Sequence, residues 1–326
     1  MELTTTQIPK REISMSSAQA TQSWADKLPT KVTRLVHGLA IASLISQIGI
    51  IVTGGAVRLT NSGLGCSHWP NCVPGSMTPV PEMGIHGIIE FGNRLLTFVL
   101  LVIAVAFLIS IWKMRPTHRT LFKLSIGLLA GIALQALIGA ITVWTGLNAW
   151  VVSVHFLISG ALVIMATFQV NRTAKELKNR KFDQSSKSIR QLSFAAWIFS
   201  LLAVAFGTIV TGTGPHAGDA DAPRHLFDPL LVTRMHTAPV YLLVAATIVV
   251  LILAYKQGGN IQLRIAIWWL VAAIAVQAAI GYIQHFNGLP VALVLSHMLG
   301  ASLLLAASAN VWDRAAILPE YQRNDS

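Results

Sequence analysis

Long apolar stretches alternate with short polar connections over most of the chain. Eight are long enough to span, at roughly 35–57, 86–112, 121–144, 150–171, 191–212, 230–255, 264–285 and 291–312. A hydrocarbon core about 30 Å thick is crossed by about 20 helical residues. The pattern therefore predicts an all-α integral membrane protein with eight transmembrane helices. Residues 1–34 and 313–326 are polar and are expected to be tails. The first is rich in Ser, Thr and Gln and lacks the apolar core of a signal peptide, and its Glu2, Glu12 and Asp26 count against a mitochondrial transit peptide. It is expected to be disordered.

Composition agrees with this reading. Hydrophobic residues make up 54% and charged ones 11%, where a soluble domain carries about 25% charge; mean hydropathy is +0.62. The net charge of +11 has a topological origin. Of 24 Lys and Arg, only Arg58, Arg94, Arg224 and Arg234 fall on the side opposite the N-terminus. The excess of basic residues on one side puts both termini in the cytoplasm of a bacterial cell and does not argue for nucleic acid. Residues 172–190, with Arg172, Lys175, Lys178, Arg180, Lys181, Lys187 and Arg190, form the longest connection on that side. They divide the chain into halves at 35–171 and 191–312.

The halves are related. Leu134-Gln135-Ala136-Leu137-Ile138-Gly139 matches Val276-Gln277-Ala278-Ala279-Ile280-Gly281 at an offset that also pairs Gly146 with Gly288 and His155 with His297. A shift of one more residue pairs Asn93 with His236, and Ile51-Val52-Thr53-Gly54 matches Ile209-Val210-Thr211-Gly212. Four spans per half give both the same orientation. The expected architecture is two four-helix bundles as a parallel repeat, unlike inverted transporter repeats, with room for one cofactor per bundle.

His155, His236 and His297 each lie about six residues into a span from the outer side, roughly 9 Å deep at 1.5 Å per residue. Intramembrane ionisable residues mark functional sites, although a single one can also be a hydrogen-bonded packing residue. Imidazoles facing each other across a bundle suit axial ligation of a haem iron. No Cys-x-x-Cys-His is present, so such a haem would be held non-covalently. The other histidines (His37, His68, His118, His216, His225 and His285) read as solvated or interfacial.

The two cysteines, Cys66 and Cys72, share the first outer loop, on the oxidising side in a bacterium. They can form a structural staple or a redox-active pair; a zinc site lacks ligands. Within Ile88-Ile89-Glu90-Phe91-Gly92-Asn93-Arg94, Glu90 and Arg94 are four apart on one helix face. Each charge costs roughly 2.5–3.5 kcal/mol in hydrocarbon on insertion scales, so they face a cavity, an interface or each other.

Val57-Arg58-Leu59-Thr60-Asn61-Ser62-Gly63-Leu64-Gly65-Cys66-Ser67-His68-Trp69-Pro70-Asn71-Cys72 resembles the signature loop of the heme A synthase family, and Glu90-Phe91-Gly92-Asn93-Arg94 resembles its Glu-x-x-His-Arg motif. The resemblance covers 35–312. It implies oxidation of the C8 methyl of heme O to a formyl group, giving heme A for terminal oxidases. It implies a resident heme B on His236 and His297, and substrate heme O facing His155. The position opposite His155, histidine in the family, is Asn93; His86 lies two turns away on the same face. The resemblance also implies a catalytic role for Glu90, which could accept a proton or stabilise positive charge. Arg94, Arg58 and Arg234 would be heme-propionate partners. A heme O synthase and an aa3-type oxidase are the expected neighbours in the membrane lipid. The histidines alone would also suit a quinone-linked cytochrome b or a heme transporter.

Overall fold

The computed structural model describes residues 27–178, 185–257 and 260–317. The expected N-terminal tail up to residue 26, Arg180 and Lys181 of the basic connection, and the chain beyond 317 lie outside the described residues. Eight helices account for the fold: α1 Arg34–Leu59, α2 Gly84–Ser110, α3 Arg119–Trp144, α4 Ala149–Leu177, α5 Lys187–Thr213, α6 Pro229–Lys256, α7 Ile261–Phe286 and α8 Val291–Trp312. All eight are long and apolar enough to cross a membrane. Among the described residues the β structure is one isolated bridge, Val73 to Ser76. The molecule is an all-α, multi-pass membrane protein.

Side chains in the connections start the helices. Thr33, Asn148, Ser186, Asp228 and Asn260 each accept a bond from a first-turn N–H, relieving donors that the helix leaves unpaired. Pro229 follows Asp228, where its missing N–H costs nothing. Two turns are duplicated. Gly146-Leu147 after α3 and Gly288-Leu289 after α7 all have positive φ, between 58° and 72°. Leu147 N–H reaches back to Thr142 O at 2.8 Å, and Leu289 N–H to Gln284 O at 2.9 Å. Glycine tolerates this backbone; the leucine beside it is held there by the returning bond.

Helix contacts are symmetric under exchange of α1–α4 with α5–α8. α1 touches α2 and α4, and α3 touches α2 and α4, closing a ring; α5 to α8 close another in the same order. Between the rings, α1 on α8 is matched by α4 on α5, and α4 meets α8 at the centre. Gly55 sits where a Cβ would strike Met298 and Leu295 of α8, and Gly160 faces Leu305, which brings these helices close.

The apolar clusters inside the rings have a common boundary. Their cluster residues begin at Leu100 on α2, Leu162 on α4, Leu243 on α6 and Leu304 on α8. These positions follow Asn93, His155, His236 and His297 by two turns, about 10 Å. Apolar side chains thus pack each ring on the basic-end side of these four positions.

At the basic end, α4 continues to Leu177, so Arg172 lies within a helix and is not a solvated linker charge. It is 1% exposed and donates through Nη1 to both oxygens of fully buried Asp313 at 2.6–2.7 Å. Asn171 Nδ2 donates to the same carboxylate at 2.7 Å. The offset relating His155 to His297 also relates Asn171-Arg172 to Asp313-Arg314. This polar knot therefore sits where the two halves meet.

Candidate functional site

In the second half the rings of His236 and His297 face each other with centroids 6.4 Å apart. His236 Nδ1 lies 2.8 Å from Ala203 O. A carbonyl only accepts, so Nδ1 carries the hydrogen and Nε2 of the neutral ring keeps its lone pair. This is the orientation given to metal-binding histidines, which donate their other N–H to an orienting acceptor. Gly207 leaves room for that ring: a Cβ there would stand 3.2 Å from His236 Cε1. His297 Nδ1 is buried without a hydrogen-bond partner. Gln277 Nε2 donates to the His297 carbonyl at 3.0 Å, and Gly281 lies against its Cε1.

The first half repeats one side of this arrangement. Gln135 Nε2 donates to His155 O at 2.9 Å, Gly139 lies against His155 Cε1, and His155 Nδ1 is buried and unpartnered. The other side differs. Asn93 Oδ1 accepts from Thr53 Oγ1 at 2.7 Å. His86 is exposed at the start of α2, with Nδ1 2.9 Å from Ser62 Oγ. The sequence repeat contains Gln135 and Gln277, but pattern alone assigned them no role; their shared bond to a histidine carbonyl needs the fold.

Glu90 and Arg94 close on the cysteine loop. Cys66 and Cys72 are joined with S–S 2.01 Å. Cys66 N–H donates to Glu90 Oε2 at 2.5 Å, while Glu90 Oε1 receives Arg94 Nη2 at 2.5 Å and Nε at 3.2 Å. Arg94 also donates to Cys66 O at 2.8 Å, His68 O at 2.9 Å and Asn71 O at 3.1 Å. Guanidinium has five N–H donors, and all are engaged. A Cβ on Gly65 would collide with the backbone of His86 and Gly87, so glycine lets the loop seat on α2. Arg94→Lys strips the fork from three loop carbonyls, at about 1–3 kcal/mol for each one left unsatisfied. The expected result is faster reduction of Cys66–Cys72 by a water-soluble thiol. An unchanged reduction rate would refute this anchoring role.

Arg58 reaches across the halves, donating to His216 O at 2.6 Å and Thr211 O at 3.0 Å. Arg234 is exposed, one turn from Thr237 on α6. His225, expected to be solvated, is 7% exposed and packs on Trp150 with centroids 4.3 Å apart. Burial, and after it the charge of Arg58, holds this ring below the usual imidazole range, so it is neutral near pH 7. Among the described residues, no three His, Cys, Asp or Glu side chains converge to hold an ion. Two facing imidazoles suit a metal that brings its remaining ligands with it, as porphyrin iron does. Imidazole nitrogens about 2 Å from a shared metal, with ring radii added, put the centroids roughly 6.3 Å apart.

Fold and site define a multi-pass α-helical membrane protein with histidines paired inside its bundle. The chain belongs to the cytochrome oxidase assembly protein family, COX15-CtaA, which matches residues 37–309, and it is a homologue of heme A synthases. It is 28% identical to the heme A synthase of Bacillus licheniformis over 287 residues, covering 84% of this chain and 93% of that one. Identity to the Bacillus pumilus heme A synthase is 27% over 281 residues, 82% and 90% of the two chains. A heme A synthase from Lysinibacillus sphaericus is 31% identical over 188 residues, 55% and 59% of the two chains.

Proposed function

We propose that the protein oxidises the C8 methyl of heme O to a formyl group, yielding heme A, in a bacterial cell membrane with both termini cytoplasmic. The single observation that carries a heme site is the His236–His297 pair, 6.4 Å apart with Nδ1 of His236 committed to a carbonyl. The similarity to heme A synthases supports the reaction, and the symmetric contacts support two repeat-related four-helix bundles at 35–171 and 191–312. In this reading His236 and His297 hold heme B, which when bound supplies one-electron redox chemistry. His155 faces substrate heme O in the first half. Heme O synthase and an aa3-type oxidase are the proposed supplier and user of the two hemes.

The chain's own contributions follow from its contacts. Gln135 and Gln277 fix α4 and α8 at the carbonyls of their histidines. The apolar layers from Leu100, Leu162, Leu243 and Leu304 exclude water from one side of the proposed heme sites. Arg58 and Arg94 are already committed to loop and helix carbonyls. Of the expected propionate partners, Arg234 is the one whose side chain is exposed. Pigment extracted with acid acetone tests the reading: heme O or heme A together with heme B supports it. Heme B alone turns it toward an electron-transfer cytochrome, and absence of heme toward a transporter.

Glu90 is proposed as the catalytic carboxylate, accepting a proton or stabilising charge near the substrate methyl. Glutamine at this position keeps the size of the side chain but not its hydrogen bonds. Because both Glu90 oxygens accept, glutamine must replace one acceptor with a donor and disturb either Cys66 or Arg94. The informative comparison is therefore Glu90→Gln against Arg94→Lys. For a catalytic carboxylate, product per heme B falls about 10²-fold or more in the glutamine variant, well beyond the lysine variant. Equal losses in the two variants assign Glu90 to holding the loop.

A further inference from the structure

The second half offers two imidazoles to one iron, and the first half offers one. In repeat register His155 answers His297 and Asn93 answers His236. The surroundings of His155 and His297 are duplicated down to a glutamine on the carbonyl, a glycine at Cε1 and a buried, unpartnered Nδ1. The other member of the pair is not duplicated. The Asn93 carboxamide is held by Thr53 Oγ1 at 2.7 Å, its oxygen already accepting a hydrogen bond, and its nitrogen lone pair is delocalised into the carbonyl. Imidazole suits iron, whereas carbonyl oxygen suits harder ions.

Other donors near this position are engaged. Glu90, one turn before Asn93, holds Cys66 N–H and Arg94. His86 is two turns away, exposed and paired with Ser62.

We infer that a heme seated in the first half is ligated by His155 alone, leaving its Asn93 face open to a small exogenous ligand such as carbon monoxide or cyanide. The inference rests on the reading that this half takes a heme. A single axial histidine leaves a coordination position free, and polarity and hydrogen-bond donors on the open side govern what enters. Asn93 keeps its amide N–H as such a donor. The two halves thus differ in kind: a closed six-coordinate site follows from His236 and His297, and an open one from His155 and Asn93.

Full-length protein in detergent, loaded with protoheme and counted per chain, provides the test. Wild type is expected to hold two hemes, one low-spin and indifferent to ligands, the other high-spin. Carbon monoxide, when reduced, or cyanide, when oxidised, should shift only the high-spin one. His155→Ala should lose the ligand-responsive heme and keep the other. Asn93→His should retain two hemes, turn the second low-spin and abolish the carbon monoxide shift. Two low-spin hemes in wild type, neither shifted by carbon monoxide, would overturn the inference while leaving the first-half heme site standing. A single heme, lost with His297→Ala and untouched by His155→Ala, would remove the heme site and the inference with it.

Discussion

Alanine at His297 or at His236 is expected to abolish the low-spin heme proposed for the second half. In the proposed reading each substitution removes one of the two imidazoles that would hold the iron, and one then remains. Loss of a partner that merely orients a ligand costs about 10–100-fold in metal affinity, and loss of the ligand itself costs more. Gln277→Ala, which frees the His297 carbonyl but leaves both rings, should fall between wild type and the alanine variants. His155→Ala should leave this spectrum intact. The measurement is the low-spin absorption per chain after purification, with the Cys66–Cys72 disulfide and helical content as checks that the fold survives. Normal low-spin spectra in both histidine variants would reject the axial assignment.

The elements of this molecule were legible because hydrocarbon leaves few options. Spanning segments must be continuous and apolar, so eight such runs foretold eight helices, with ends moved by a few residues where caps such as Asn148 and Asp228 decide them. Depth also survived translation into structure, since a regular rise per residue places His236 and His297 at one level. Long-range polar pairing was not legible. Nothing in Arg172 distinguishes it from its basic neighbours until α8 brings Asp313 against it. Glu90 and Arg94 read as a helical pair at the right spacing, but backbone groups of the folded loop saturate them, and backbone partners leave no mark in side-chain pattern. His225 was misjudged because its burial depends on the ring of Trp150, which distant α4 supplies.

Asp313→Asn is expected to destabilise the protein by about 3–5 kcal/mol, the usual cost of removing one partner from a buried ion pair. Arg172 is 1% exposed and Asp313 fully buried, so the remaining guanidinium would keep its charge where water cannot solvate it. Because α4 and α8 meet at the junction of the two rings, the loss should appear as lower thermal stability of the whole molecule in detergent. Arg172→Met should cost a similar amount by leaving the buried carboxylate without its cation. Combining Arg172→Met with Asp313→Leu removes both charges, and apolar replacements of a complete buried pair are often neutral or better. The double variant should then recover part of the loss. It should retain chiefly the deficit of the Asn171 carboxamide, which donates to Asp313 at 2.7 Å and would lose its acceptor at about 1–3 kcal/mol. Unfolding midpoints of the wild type, Arg172→Met alone, Asp313→Leu alone and the double variant measure the coupling directly. A double variant as unstable as the sum of the singles would show that Arg172 and Asp313 stabilise the junction independently, and not as an ion pair.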